Sequence, residues 1–277
     1  MTKNSTLTPR QIMDRDGWYL AKNVFTPEEI DKIRTQALKG IEEGYTCDIF
    51  SNPFVSWILA EKRLADLARS VLDTQGVYFG DSTVSYKIYG AGFHKDNVDR
   101  HDPKAPDWNV EYSVYRFALY LQDCSEHSGG ITLRTGGHKA PTLNEGKIVN
   151  VKTAKGDVVC WKLTMSHSAN ARILKFAPNW NIHPRIMRRV PMFLCKPYDA
   201  ERLAMFFTIA SEGVTMDRFV DYLLTRSYGI ENFKQQKFDP EMVKRAESNG
   251  LKILDVAYRV REVDTAKQNL EHKDLDY

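Results

Sequence analysis

The sequence predicts an α+β protein: helices lead, a run of short strands follows and folds into a β-sandwich or barrel, and helices close the chain. Three observations carry that prediction. Apolar residues recur at helical spacing between residues 27 and 72 and again after Gly213. Between about residues 77 and 213 the pattern shortens to β-branched and aromatic runs separated by clusters of Gly, Pro, Asn and Asp. Finally, 277 residues of which 42% are hydrophobic supply enough apolar side chain for a sizeable core, without the signature of a disordered chain.

Residues 1–8 read as a polar tail, and residues 12–25 (IMDRDGWYLAKNVF) alternate towards a short strand. The run Thr26, Pro27, Glu28, Glu29 then announces a helix. Thr26 can cap it, Pro27 suits a first turn whose N–H groups are unpaired anyway, and Glu29 completes a capping box. Ile30, Ile33, Ala37 and Ile41 continue one face, and Trp57, Leu64, Leu67 and Val71 mark a second helix over 54–72. Strands are expected at 77–88, 112–121, 131–134, 147–151, 157–164 and 202–209. Met216, Phe219, Val220, Leu223 and Leu224 restore helical spacing, and residues 240–250 (PEMVKRAESNG) predict a further helix. One domain over 1–277 accounts for the chain: a β core at about 77–213, a helical extension at about 214–263 and a solvated polar tail at 264–277.

Lys and Arg number 39 against 36 Asp and Glu, a net charge of +3. A balance that close to neutral argues against a nucleic-acid or membrane-surface binder, which carries a basic excess or blocks of like charge. Cys47, Cys124, Cys160 and Cys195 are scattered, with no C-x-x-C pair. Neither a disulfide framework nor a thiolate zinc site is expected, and a reducing cytoplasm is the expected compartment. The opening MTKNSTLTPRQ lacks the apolar core of a signal peptide, and no stretch approaches ~18 consecutive apolar residues, which predicts a soluble protein.

The residues best suited to chemistry are His94 and Asp96, in the run Phe93, His94, Lys95, Asp96 that follows the 77–88 strand and the turn Gly90, Ala91, Gly92. Residues two apart on extended chain point to the same side, so imidazole and carboxylate could share one ion. His167 is the third candidate ligand. Two His and one carboxylate occupy one face of a metal and leave the other open, as in non-haem Fe(II) oxygen chemistry; zinc in the same ligands would suit hydrolysis. H-x-D also recurs by chance, and His272, Lys273, Asp274 in the tail is a decoy with no downstream His.

Further motifs stand in order around this pair: DRDGWYL at 14–20, VFTPEEI at 24–30, SGGITLRTGGH at 128–138, and GD at 156–157 followed by HSAN at 167–170. Together they resemble the phytanoyl-CoA dioxygenase family of Fe(II)/2-oxoglutarate oxygenases over most of residues 12–213, with Thr135 and Gly137 replacing the Pro and Ser of that family's P-G-S-H turn. The resemblance implies a double-stranded β-helix (jelly-roll, cupin-like) core between N-terminal and C-terminal helices, with His94, Asp96 and His167 holding Fe(II). It also implies a basic residue, on the strand after the distal histidine, for the far carboxylate of 2-oxoglutarate; an Arg fork meets a carboxylate bidentately. RLAMFFTIAS at 202–211 looks most like that strand, which makes Arg202 the first candidate and residues 173–197 an insertion. Arg188 or Arg189 is the rival, and Arg172 a distant third.

The activity this implies is that of a dioxygenase hydroxylating a small-molecule metabolite, consuming O2 and converting 2-oxoglutarate to succinate and CO2. Related halogenases leave the Asp96 position open for chloride, so a carboxylate there argues for hydroxylation. The alternatives are a zinc-dependent hydrolase on a cupin-like barrel and a catalytically silent jelly-roll binding module. Lys87, Lys95, Arg100, Arg116 and Arg134 outnumber Asp81, Asp96, Asp99 and Asp102 in the segments expected to ring the site, which favours an anionic substrate. Asn97 and Arg100 are candidates for facing the open coordination positions. Lys87 and Arg116 point inward or outward, and alternation does not say which. His138 is expected to make a structural hydrogen bond in its turn, His101, His127 and His183 to be solvated, and Trp161 and Tyr120 to lie in the core.

Overall fold

The computed structural model describes residues 7–45, 48–88 and 92–263, and its first two helices start on side-chain caps. Helix α1 (Pro9–Asp16) starts on a capping box of Thr8 and Gln11, and α2 (Pro27–Glu42) on the predicted box of Thr26 and Glu29, each with Pro in its first turn. α1 corrects the expected strand at 12–25: the chain is helical to Asp16, Gly17 reverses it at φ 82°, and only β1 (Trp18–Ala21) is extended. The predicted 54–72 helix is divided into a 3-10 turn at Ser56–Ile58 and α3 (Lys62–Leu72).

Strands β2 (Gly76–Tyr86), β3 (Val114–Tyr120), β4 (Gly130–Thr135), β5 (Lys147–Val151) and β6 (Val158–Lys162) fall within a few residues of expectation. So does the strand beginning after Arg202, which follows β7 (His167–Ala171) and is therefore β8 (Leu203–Ala210). Short helices α4 (Pro106–Asn109) and α5 (Pro184–Met187) lie in the connections. The C-terminal region holds α6 (Val214–Leu223), α7 (Ser227–Gln235), α8 (Pro240–Ser248) and β9 (Leu251–Ile253). It is thus not wholly helical, because β9 adds to the larger sheet in parallel with β2. The 264–277 tail with its decoy His272 and Asp274 lies outside the described residues, as do residues 1–6, Cys47 and the Gly90–Ala91 part of the turn.

The strands form a six-stranded sheet, ordered β1-β6-β3-β8-β2-β9, and a three-stranded sheet, ordered β5-β4-β7. Alternation along the larger sheet divides its side chains between two cores. Tyr115, Phe117, Leu119, Leu203, Met205 and Phe207 face Ile30, Ile33, Leu64 and Val71 of α2 and α3. The intervening Ala118, Tyr120, Ala204, Phe206, Val159 and Trp161 face Ile131, Leu133 and Val151 of the smaller sheet. β6 is buried along its whole length, so it reads as a nearly continuous apolar run. Each large apolar side chain buried this way contributes about 1.5–3 kcal/mol.

Helices α6 and α7 close one end of this layered body. Met216, Phe219, Val220, Leu223, Ile230 and Phe233 pack on Val77, Val114, Leu163 and Ala210. The 173–197 segment makes a side lobe between β7 and β8 with its own small core of Leu174, Ala177, Met187 and Cys195. Cys124, Cys160 and Cys195 are buried free thiols. Among the described residues no helix is long and apolar enough to cross a membrane.

Candidate metal centre

Main-chain pairing brings the predicted ligands together. The His94 N–H donates to the His167 carbonyl at 3.0 Å and the His167 N–H to the His94 carbonyl at 2.9 Å, an isolated antiparallel bridge beside β7. Two residues on, the Asp96 N–H donates to the Leu163 carbonyl at 3.0 Å. The segment is therefore extended and anchored at both ends, with His94 and Asp96 on one side and Lys95 on the other. One candidate ligand atom from each of His94, Asp96 and His167 lies within 4.8 Å of the others, a group that could hold a metal ion. The His94 and His167 ring centroids are 4.1 Å apart.

The tautomers suit that use. His94 Nδ1 lies 3.2 Å from the Gly92 carbonyl, and His167 Nδ1 lies 3.1 Å from the Met165 carbonyl. A ring nitrogen facing a carbonyl carries a proton, so in the neutral ring it is Nε2 that presents the lone pair. The two Nε2 atoms face Asp96, at 3.9 Å from His94 to Oδ1 and 3.5 Å from His167 to Oδ2. Burial, with His94 alongside, pulls the His167 imidazole down to about 3. Burial alone would raise the Asp96 carboxyl, but His167, His94, Arg116 and Arg100 outweigh it and hold it at about 2. The site thus presents a neutral imidazole and an ionised carboxylate without any titration.

Arg116 is a site residue whose direction the sequence left open. It shares the inner face with Ala118 and Tyr120, and its guanidinium lies 3.0 Å from Asp81 and 3.7 Å from Asp96. Thr208, its register partner on β8, also donates to Asp81 at 2.6 Å. Lys87 turns outward to an exposed ion pair with Glu201.

Arg202, one residue before β8, falls in phase with the inward-facing Ala204, Phe206 and Thr208. It is 1% exposed. Its Nε donates to the Gly129 carbonyl, its Nη1 to the Ile88 carbonyl and Ser85 hydroxyl, and its plane lies 5.6 Å over Tyr120 and 5.7 Å over Phe206. Arg202 Nη2, Tyr120 Oη and Trp161 Nε1 are buried with no hydrogen-bond partner among the described residues. Trp161 packs 5.3 Å from His167 and 6.4 Å from Phe206, so these orphaned groups and the triad share one interior. The rivals Arg188 and Arg189 are exposed on the side lobe, and Arg172 turns to the Met187 and Arg188 carbonyls.

Other candidates take structural places. Asn97 is buried and donates to Asp107 at 2.8 Å, so it does not face the triad's open side. Arg100 ties the Lys95 carbonyl to the Tyr222 hydroxyl. Arg134 stacks on Phe93 and donates to the Asn144 and Gly146 carbonyls. His138 is buried against the Asp14 carbonyl, as a structural histidine should be. His101 is exposed, but His127 sits 3.3 Å from Asp123 and His183 packs edge-on against Phe93. A separate cleft of about 700 Å³, lined by Tyr45, Asp48, Trp57, Gln236 and Phe238, contains none of the triad.

No family model and no curated protein sequence matches the chain. Solved structures do. The non-heme monooxygenase ThoJ, in a nickel complex, is 14% identical over 73% of this chain and 77% of its own, with a TM-score of 0.53. EctD from S. alaskensis with bound Fe is 18% identical over 76% and 79%, at 0.52. HygX from Streptomyces hygroscopicus with nickel and 2-oxoglutarate bound is 16% identical over 74% and 86%, at 0.51. At these identities the likeness is one of fold.

Proposed function

We propose that the chain is an Fe(II)/2-oxoglutarate-dependent oxygenase of the phytanoyl-CoA dioxygenase type that hydroxylates a small molecule, with His94, Asp96 and His167 as the iron ligands. The observation that carries this reading is the meeting of two imidazoles and one carboxylate within 4.8 Å, with both Nδ1 atoms engaged and both Nε2 atoms turned to the shared space. That donor set suits non-haem iron. The interior also suits 2-oxoglutarate: Arg202 Nη2 and Tyr120 Oη are buried donors lacking acceptors, and an unmet buried donor costs about 1–3 kcal/mol. A carboxylate there would remove that cost. The strand order supports a double-stranded β-helix, with β6-β3-β8-β2 in one face and β5-β4-β7 followed by the His94 segment in the other.

When bound, iron and 2-oxoglutarate supply the oxidative chemistry, with 2-oxoglutarate converted to succinate and CO2 as O2 is consumed. The chain's residues do the rest. Arg116 keeps Asp96 ionised as a ligand, Arg202 fixes the far end of the co-substrate, and Trp161 and Phe206 keep water from the space between. A zinc hydrolase would need a free general base beside the metal, whereas Asp81, the other carboxylate on Arg116, is engaged by Arg116 and Thr208.

The test is succinate formation by the full chain with Fe(II), 2-oxoglutarate and O2. Wild type should form succinate, and His94→Ala and His167→Ala should lose it together with metal binding while keeping the circular dichroism of the fold. Zinc-supported hydrolysis without succinate would overturn the reading.

A further inference from the structure

Helices α6 and α7 cover the end of the body where the triad lies. Their apolar faces bury against Val114, two residues from Arg116, and against Leu163, whose carbonyl receives the Asp96 N–H. A polar chain runs from the metal-ligand segment into the junction of the two helices. The Lys95 carbonyl accepts from Arg100 Nη1 at 2.7 Å, and the Tyr222 hydroxyl accepts from Arg100 Nη2 at 2.9 Å and from Arg226 Nη1 at 2.8 Å. The Arg226 guanidinium stacks 4.4 Å over Tyr228 and 5.4 Å from Tyr222, and Tyr228 shares the electrostatic surroundings of Arg116, Asp81 and Asp96.

Not every cation at this junction has a carboxylate beside it. Arg218 pairs with Asp99 and reaches Asp107, Arg116 takes Asp81, and Asp96 faces the histidines. Arg226 has no carboxylate within ion-pair reach among the described residues, and its hydrogen bond to Tyr222 uses Nη1 alone. The Nε–Nη2 edge, the fork that matches a carboxylate bidentately, is left open on a guanidinium held in place by two aromatic rings. A cation pre-ordered in this way loses little side-chain freedom on binding.

We propose that the α6–α7 junction is the substrate-recognition element and that it selects a small molecule bearing a carboxylate, gripped by Arg226 between Tyr222 and Tyr228. The inference rests on the oxygenase reading and adds the substrate class and the residues that choose it. The sequence pointed to an anionic substrate through a surplus that included Lys87, Lys95 and Arg134. Those three are turned away or engaged elsewhere, and Arg226 carries the selectivity instead.

The experiment uses the full chain with Fe(II) and 2-oxoglutarate and a panel of organic acids, each paired with the primary amide of the same skeleton, reading stimulated succinate release. Acids should stimulate release and their amides should not. Arg226→Gln should raise KM for the best acid by about tenfold to a hundredfold with a much smaller change in kcat, as expected for losing a hydrogen-bonded charge. Arg226→Lys should raise it less, and Arg188→Ala, on the side lobe, should leave it unchanged. Amides that work as well as acids would overturn the proposal, as would a KM that Arg226→Gln leaves within about twofold of wild type. Succinate formed by wild type in those cases leaves the oxygenase reading standing and removes only this one; no succinate in any arm removes both.

Discussion

Arg202 is a guanidinium enclosed by protein, with one nitrogen left for a ligand. Removing one member of a buried charge pair costs about 2–5 kcal/mol, roughly a thirtyfold to several-thousandfold loss of affinity. Arg202→Ala should therefore raise the 2-oxoglutarate requirement steeply. Arg202→Lys should restore it in part, because a point charge cannot reproduce the fork. Arg188→Ala should change it little, since Arg188 is solvated on the lobe. A 2-oxoglutarate titration of succinate release checks this, and the opposite order of Arg202→Ala and Arg188→Ala would move the binding site to the lobe. In the sequence, Arg202 stands directly before an apolar strand, which supports the choice. The orphaned Nη2 that turns a buried arginine into a binding group is visible only in three dimensions.

The 94–96 segment is an element too short to be a strand by itself, and the residue between its two candidate ligands is as informative as they are. Lys95 is fully buried, with no counter-ion among the described residues. Its ammonium donates to the Gly137 carbonyl at 2.5 Å and the Thr164 carbonyl at 2.6 Å and lies 5.2 Å from the Trp108 ring centroid. It thereby ties the ligand segment to the turn after β4 and to the turn that leads into His167. Lys95→Met keeps the apolar stem but leaves two carbonyls unmet, so it should cost about 1–3 kcal/mol in urea unfolding. It should also weaken Co(II) binding, whereas Lys87→Met on the surface should change neither. Co(II) affinity unchanged in Lys95→Met would mean that the main-chain bonds of His94 and Asp96 hold the ligands unaided. The same scale explains the missed helix. Thr8, Pro9 and Gln11 are a readable capping box for α1, but the alternation of 12–25 masked it, because eight residues are too few for a helical period to stand out.

At the scale of the whole molecule, His138 makes folding depend on pH. Burial, with Lys162 nearby, lowers its pKa from 6.5 to about 4. Its ring lies where a side chain at position 17 would be, since a Cβ on Gly17 would stand 2.3 Å from Nδ1. Between pH 6.5 and 4 the unfolded chain takes up a proton that the native state refuses. Stability therefore falls as pH falls through that window, by about 3 kcal/mol once the pH is below 4, and is unaffected above about pH 7.5. His167 acts in the same direction down to about 3. Urea midpoints at pH 7.5 and 5 should show the loss in wild type and a smaller loss in His138→Gln. An identical loss in both would place the proton uptake elsewhere.

The α+β order, the capped start of α2, most strands of the β core, and His94, Asp96, His167 and Arg202 as candidates were legible in the residues alone. All of these rest on properties of near neighbours or of a strand's own phase: a capping box within four residues, an alternation of period two, a ligand pair two apart. The packed fold settles which phase of β3 and β8 faces inward, with Arg116 beside Asp96 and Tyr120 under Arg202. It alone decides that β9 joins β2 and that α6 and α7 pack on Val77, Val114, Leu163 and Ala210. Alternation assigns residues to two faces without saying which is covered. What covers a face is settled by other elements of the chain, whose packing no local pattern encodes.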